Sequence, residues 1–149
     1  MAHYEDQGEY PGEMSPDEAW AVLGRDPGAQ LVDVRCAAEW AFVGVPDLSS
    51  VGRKAHLVQW QIYPEMGSNP DFLAETTGRL REAGAGPDTP VLFLCRSGGR
   101  SRAAAKAMAR AGFRHAINVT SGFEGDPDVA GHRGTRDGWK AAGLPWRQS

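Results

Sequence analysis

The sequence predicts an α/β fold with a mostly parallel central sheet of about five strands and helices on both faces. Short apolar runs that suit buried strands alternate along the chain with segments of helical pattern. The clearest apolar run covers residues 91–94, and an alanine-rich segment at residues 102–111 suits a helix packed closely on a sheet. Repeated strand–helix–strand units favour a parallel sheet, because parallel neighbours need a crossover connection.

The composition is that of one globular domain. The chain has 149 residues, of which 41% are hydrophobic and 23% charged, so it can bury a core without disulfides or metals. Its net charge of -3 gives no reason to expect nucleic acid or an acidic membrane as a partner. The polar start lacks the pattern of a signal peptide, which favours a cytoplasmic protein. We expect residues 1–13 to form a flexible arm and residues 14–149 a single domain.

The first predicted element is a helix. Ser15 suits the N-cap, Pro16 the first helical position and Glu18 the return partner of a capping box, so a helix should run from there to about residue 23. The elements expected next are a strand at residues 30–34, a short helix at 37–42, a strand at 55–60 and a helix from 69 to about 83. Gly, Pro, Asp and Asn residues punctuate these segments.

The chain after the alanine-rich segment should add one strand and a tail. Residues 115–119 suit the strand, and residues 124–136 form a long polar loop that is either a lid or disordered. A helix around residues 137–142 and a core position for Trp146 are expected to close the chain. Four residues of the tail lack the spacing of a metal site: Asp126, Asp128, His132 and Asp137. We therefore predict no bound metal.

Cys95 stands where the central strand ends and a helix is about to begin. Gly98 and Gly99 let the backbone turn sharply and direct N–H groups inward, and Ser101 is expected to cap the helix. A thiol at such a place is stabilised as the thiolate, which is the reactive nucleophile. The alternative is an inert cysteine at the end of a buried strand.

The charge around Cys95 favours an anionic substrate. No acidic residue occurs between positions 89 and 123, where the basic residues are Arg96, Arg100, Arg102, Lys106, Arg110 and Arg114. We interpret Arg102, Lys106 and Arg110, which are spaced four apart, as the solvated face of the helix. Arg96, with Arg100 as a second candidate, is expected to attract the substrate.

Asp33 and Arg35 stand at the carboxyl end of the strand at residues 30–34, which should bring them to the same edge of the sheet as Cys95. Glu39 follows a few residues later. Two interpretations are open. They support the Cys95 loop through hydrogen bonds or an ion pair, or Arg35 and Glu39 form a structural salt bridge across the turn. We slightly favour the second interpretation.

The sequence resembles the rhodanese family of sulfurtransferases in its single-domain form. The resemblance rests on Leu31-Val-Asp-Val-Arg35 with Glu39-Trp40, Cys95-Arg-Ser-Gly-Gly-Arg-Ser101, Asn118-Val-Thr-Ser-Gly-Phe123, and Gly138-Trp139 with Gly143-Leu-Pro-Trp146. It implies that Cys95 takes a sulfane sulfur from a donor such as thiosulfate and passes it to a thiol or cyanide-like acceptor. The residues implied to hold substrate and persulfide are Arg96, Ser97, Gly98, Gly99, Arg100 and Ser101. No cofactor is implied.

Other functions stay open. Cysteine phosphatases resemble this strand–loop–helix arrangement but have five residues between cysteine and arginine, whereas four separate Cys95 from Arg100. A phosphatase or arsenate reductase is therefore a minor candidate. A third possibility is a sulfur carrier or binding module that exchanges persulfide with a partner protein. Cys36 is expected to be a free thiol, and it is a candidate to resolve a Cys95 persulfide into a disulfide.

Overall fold

The computed structural model of the protein describes residues 12–148. The helices are α1 (Pro16–Arg25), α2 (Ala37–Phe42), α3 (Phe72–Glu82) and α4 (Gly99–Arg110), with a short 3-10 turn at Ser49–Val51. The strands are β1 (Gly12–Met14), β2 (Gln30–Asp33), β3 (Val45–Pro46), β4 (His56–Leu57), β5 (Gln61–Ile62), β6 (Gly67–Ser68), β7 (Val91–Leu94), β8 (Ala116–Val119) and β9 (Trp146–Arg147).

The central sheet has five parallel strands in the order β1-β8-β7-β2-β4, which confirms the predicted fold class. Side chains of β7 alternate between its two faces. Leu92 and Leu94 pack in a core cluster with α1 residues such as Leu23, whereas Val91 and Phe93 pack in a second cluster that contains residues of α3 and α4. Helices therefore cover both faces of the sheet, as expected.

Helix α1 begins with the predicted capping box. The Glu18 amide donates to Ser15 Oγ at 3.2 Å, and the Ser15 amide donates to Glu18 Oε1 at 2.9 Å. The helix ends at Arg25, two residues later than predicted. Helix α2 and strand β7 have the predicted bounds, whereas the strand expected at residues 55–60 is reduced to the two residues of β4.

The start of the domain differs from the prediction. Gly12 and Glu13, which the prediction assigned to a flexible arm, lie in β1 and pair with Ile117 and Asn118 of β8. The backbone hydrogen bonds of an edge strand do not require an apolar sequence, so the polar composition of this segment gave no signal. The rest of the predicted arm lies outside the described residues.

The tail also differs from the prediction. Residues 137–142 form bends and turns and not a helix, and Trp146, expected in the core, is 38% exposed in β9. The core position belongs to Trp139, whose Nε1 donates to Pro145 O at 2.7 Å. The polar loop is ordered by Asp128, which accepts hydrogen bonds from Ala130, His132 and Thr135. The tail is therefore held by polar contacts, which hydrophobic patterns do not reveal.

Candidate active site

Cys95 directly follows β7, and its side chain is 1% exposed. The Gly98 amide donates to Cys95 Sγ at 3.1 Å. Gly98 has a φ of 120°, which side-chain-bearing residues rarely adopt, so glycine is needed to turn this amide toward the sulfur. Helix α4 begins at Gly99, and the sulfur therefore lies at the positive end of the helix dipole.

Ser101 does not cap α4 as predicted, because the helix begins before it and Gly98 occupies the N-cap. Its side chain is instead fully buried beneath the thiol. Ser101 Oγ lies 3.2 Å from Cys95 Sγ and 2.6 Å from Asn118 Oδ1. Asn118 was not predicted as a site residue. A polar residue within the buried strand β8 was the available signal.

Glu39 forms an ion pair with Arg100 and not with Arg35, so the favoured salt-bridge prediction was wrong. Arg100 Nη1 and Nη2 donate to Glu39 Oε1 and Oε2 at 2.7 and 2.9 Å. Burial by itself would raise the pKa of Glu39, but hydrogen bonds from Arg100 and from the Cys36 amide lower it from 4.5 to about 2. The hydrogen bonds to Glu39 also raise the pKa of Arg100. This pair joins α2 to the first turn of α4, next to the Cys95 loop.

Asp33 and Arg35 form a second ion pair, which is fully buried. Arg35 Nη2 donates to Asp33 Oδ2 at 2.7 Å and to Gly44 O at 2.8 Å. The Arg35 guanidinium also stacks 4.2 Å from the centre of the Phe123 ring. The Phe123 amide donates to Cys95 O at 2.8 Å. The Asp33–Arg35 pair thus supports the cysteine loop through Phe123.

The segment after β8 fixes the first residues of the loop by backbone contacts. Arg96 O accepts hydrogen bonds from the Glu124 and Gly125 amides at 3.0 and 3.1 Å. A Cβ atom on Gly122 would lie 2.4 Å from Cys95 O, so only glycine fits there. Sequence reasoning did not assign this support to Gly122, although the segment belongs to the motifs that carry the family resemblance.

Three comparisons place the chain among known proteins. A family model described as the STR4 middle domain matches residues 11–149. The crystal structure of Rv0390 from M. tuberculosis matches with 51% identity and a TM-score of 0.83, over 94% of this chain and 99% of that one. The uncharacterized protein RP600 of Rickettsia prowazekii is 34% identical over 87% of this chain and 92% of its own length. The thiosulfate sulfurtransferase GlpE of Actinobacillus succinogenes is 29% identical, over 89% and 87% respectively.

The chain belongs to the STR4 middle-domain family of rhodanese-like domains. The family resemblance stated from the sequence motifs is therefore confirmed. The family assignment covers the fold of residues 11–149.

A cavity of about 570 Å³ opens at the active edge of this rhodanese-like domain. Cys95 is too deeply buried to form its surface, which the neighbouring loop residues provide. The residues that line the cavity are Cys36, Ala38, Glu39, Val43, Gln61, Tyr63, Met66, Arg96, Arg100 and Glu124. Of the polar loop at residues 124–136, Glu124 alone contributes to this lining. A cavity of about 580 Å³ beside β3 and β4 contains no cysteine.

The remaining predicted loop residues differ in their surroundings. Arg96 is exposed at the cavity, Ser97 is half-buried, and Gly99 is exposed at the first position of α4. Cys36 is a buried free thiol at the N-cap of α2 and lines the same cavity. Within residues 12–148, no cluster of three or more His, Cys, Asp or Glu side chains is arranged to hold a metal ion. No helix in this range is long and apolar enough to cross a membrane.

Proposed function

We propose that this rhodanese-like domain is a sulfurtransferase that carries a sulfane sulfur as a persulfide on Cys95. The observation that carries the proposal is the position of Cys95 Sγ, 3.1 Å from the Gly98 amide and at the N-terminus of α4. A helix N-terminus and an inward amide stabilise negative charge on sulfur. The same groups serve both the thiolate that attacks the donor and the persulfide that follows.

The reaction has two transfers. The Cys95 thiolate attacks the outer sulfur of thiosulfate; the new S–S bond forms as the old one breaks, and sulfite leaves with the bonding electron pair. A thiolate or cyanide then attacks the outer sulfur of the persulfide and restores the Cys95 thiolate. The outer sulfur would be held by first-turn amides of α4 at Gly99, Arg100 and Ser101, which have no acceptor within the helix.

The two arginines of the loop would have different roles. Arg96 is exposed at the cavity and makes no ion pair with any described residue, so its charge is available to an anionic donor. Arg100 is engaged by both oxygens of Glu39. We therefore assign Arg96 to donor attraction and Arg100 to positioning of the loop, whereas both were predicted from the sequence as candidate substrate ligands.

The Arg100–Glu39 pair also weighs against phosphatase chemistry. A phosphatase of this loop type needs its arginine to bind the phosphate group, but this guanidinium is already bound by a carboxylate. Exchange of persulfide with a partner protein uses the same Cys95 loop and remains compatible with the site. Loading from thiosulfate distinguishes a small-molecule donor from a protein donor.

The test is intact-protein mass spectrometry after the reduced protein is mixed with thiosulfate. We expect a gain of one sulfur, about 32 Da, which cyanide or dithiothreitol removes. Cys95→Ser should abolish the gain. Cys36→Ser is the matched control, because it replaces the other thiol near the site, which lines the cavity, and should leave the gain intact.

The variants decide between the alternatives. Sulfur gain that persists in Cys95→Ser but disappears in Cys36→Ser would overturn the assignment of the nucleophile. No gain from thiosulfate, with a Cys95 thiol that still reacts with iodoacetamide, would exclude thiosulfate as donor. Cys95-dependent hydrolysis of p-nitrophenyl phosphate without sulfur loading would instead support the phosphatase.

A further inference from the structure

Ser101 has one hydroxyl proton but two acceptors within reach. Its Oγ lies 2.6 Å from Asn118 Oδ1 and 3.2 Å from Cys95 Sγ. A hydroxyl group can donate to only one of them at a time. The shorter distance favours donation to Asn118, which leaves a lone pair of Ser101 to accept the S–H proton while Cys95 is a thiol.

The register of the sheet brings Asn118 to Ser101. Asn118 pairs with Phe93 of β7, and Phe93 packs in the same core cluster as the buried residues of α4. Residues paired across strands point to the same face, so Asn118 faces α4. The Asn118 side chain is buried, and its contact with Ser101 is shielded from water.

Glu13 of β1 determines which end of the Asn118 amide faces Ser101. Glu13 is the register partner of Asn118, and its Oε2 accepts a hydrogen bond from Asn118 Nδ2 at 3.4 Å. A flipped amide would place Oδ1 against this carboxylate, where two acceptors repel each other. Arg102 keeps Glu13 at this place through an ion pair. Oδ1 is thus directed to Ser101.

We propose that Asn118 is a positioning residue that competes with the Cys95 sulfur for the hydroxyl proton of Ser101. While Cys95 is a thiol, the hydroxyl donates to Asn118. When Cys95 loses its proton to solvent, or carries an anionic persulfide, the Ser101 hydroxyl turns to donate to the sulfur. Asn118 Oδ1 then no longer accepts a hydrogen bond from Ser101. A hydrogen bond to an anion is stronger than one to an amide oxygen, which drives the exchange.

The proposal predicts that removal of the Asn118 acceptor makes Cys95 easier to ionise, because the hydroxyl proton is then available to sulfur alone. The charged and titratable groups around the thiol, from every element packed near it, are Glu13, Asp33, Arg35, Cys36, Glu39, Arg96, Arg100, Arg102 and Glu124. Apart from Cys36 and Glu13, which are varied deliberately, they are the same in all variants compared.

The experiment measures the rate of Cys95 alkylation by iodoacetamide against pH. All variants carry Cys36→Ser, so that Cys95 is the thiol that reacts. We expect Asn118→Leu, which is similar in size but has no acceptor, to move the midpoint down by about half a unit to one unit, the value of a single hydrogen bond. Ser101→Ala should move it up. When Asn118→Leu is added to Ser101→Ala, the midpoint should not shift further.

Glu13→Gln offers a second route, because Glu13 is partly exposed and its replacement leaves the core intact. Without the carboxylate the Asn118 amide is free to flip, so a smaller downward shift is expected, and Ser101→Ala should remove it. If circular dichroism shows that Asn118→Leu does not fold, Glu13→Gln with and without Ser101→Ala tests the proposal instead.

Two results would overturn the proposal. One is an unchanged midpoint in the folded Asn118→Leu variant or, where that variant does not fold, in Glu13→Gln. The other is a shift that is equally large with and without the Ser101 hydroxyl. The inference rests on Cys95 as the nucleophile of the proposed sulfur transfer, but alkylation reports the thiol itself. The two proposals can therefore fail separately.

Discussion

Two carboxylate–guanidinium pairs flank the candidate active site, and they differ in their access to water. Both side chains of the Asp33–Arg35 pair are 0% exposed, whereas Arg100 and Glu39 are 19% and 17% exposed. Each guanidinium contacts both oxygens of its carboxylate. The pairs are thus similar in geometry and different in surroundings.

The two pairs also connect different parts of the chain. Asp33 and Arg35 are two residues apart at the end of β2, and Arg35 links this strand to Gly44 and Phe123. Glu39 and Arg100 are 61 residues apart and connect α2 with α4. We infer that the buried pair stabilises the edge of the sheet, whereas the partly exposed pair positions the cysteine loop and contributes less to stability.

Arg35→Met should have the largest effect on stability. The substitution leaves the Asp33 carboxylate buried without its cation, which typically costs about 3–5 kcal/mol. We expect this loss in the free energy of unfolding, measured by urea denaturation followed by circular dichroism.

The control replaces both members of the buried pair, as Asp33→Leu with Arg35→Met. Because no uncompensated charge is left, the double variant should recover much of the stability lost by the single one. A double variant as unstable as Arg35→Met would indicate that Arg35 acts mainly through Gly44 and Phe123 and not through Asp33.

Arg100→Met should affect activity more than stability. Glu39 is partly exposed and can be hydrated when its partner is removed, so we expect a loss of only about 1 kcal/mol in the free energy of unfolding. The loop would lose its tie to α2, and misplacement of a nucleophile lowers rates about ten- to a hundredfold. Thiocyanate formation from thiosulfate and cyanide measures the rate. A folded variant with full activity but as unstable as Arg35→Met would contradict the proposed division of roles.

The partly exposed Glu39–Arg100 pair should respond to acid. The pKa of Glu39 is lowered to about 2 from 4.5, so its contribution to stability is complete above pH 4.5 and is lost as the pH falls toward 2. We expect Glu39→Gln to be less stable than the parent by about 1–2 kcal/mol at neutral pH, after allowance for solvent screening. This difference should shrink below pH 4.5. A difference that stays constant down to pH 2 would show that the carboxylate charge is not responsible.

The comparison also shows what the sequence could reveal. The apolar run of β7, the glycines after Cys95 and the capping box of α1 are local signals, and they were sufficient for the fold class and the position of the thiol. The ion-pair partner of Glu39 could not be predicted from such local signals. Arg35 lies at the i,i+4 spacing of a helical pair, but it precedes α2, which begins at Ala37, so the helical rule does not apply.

The groups behind the thiol were missed for a related reason. Asn118 meets Ser101 only because β8 lies beside β7 in a particular register, and local patterns in a single sequence do not reveal which strands are neighbours or in what register. Glu13 reaches Asn118 because an unremarkable polar segment pairs as an edge strand. Local patterns thus located the candidate nucleophile, whereas the groups proposed to orient it lie near it only through contacts between distant parts of the chain.

Arg96 differs from Arg35 and Arg100 because it makes no ion pair within the described part of the chain. Its charge should act on the donor over a distance, so Arg96→Met should raise KM for thiosulfate about three- to tenfold and change kcat less than twofold. Added salt should reduce the difference, because exposed charges are screened. Arg110→Met, at the other end of α4, is the matched control and should have no effect. A fall in kcat that is independent of salt would place Arg96 in the chemical step and not in donor attraction.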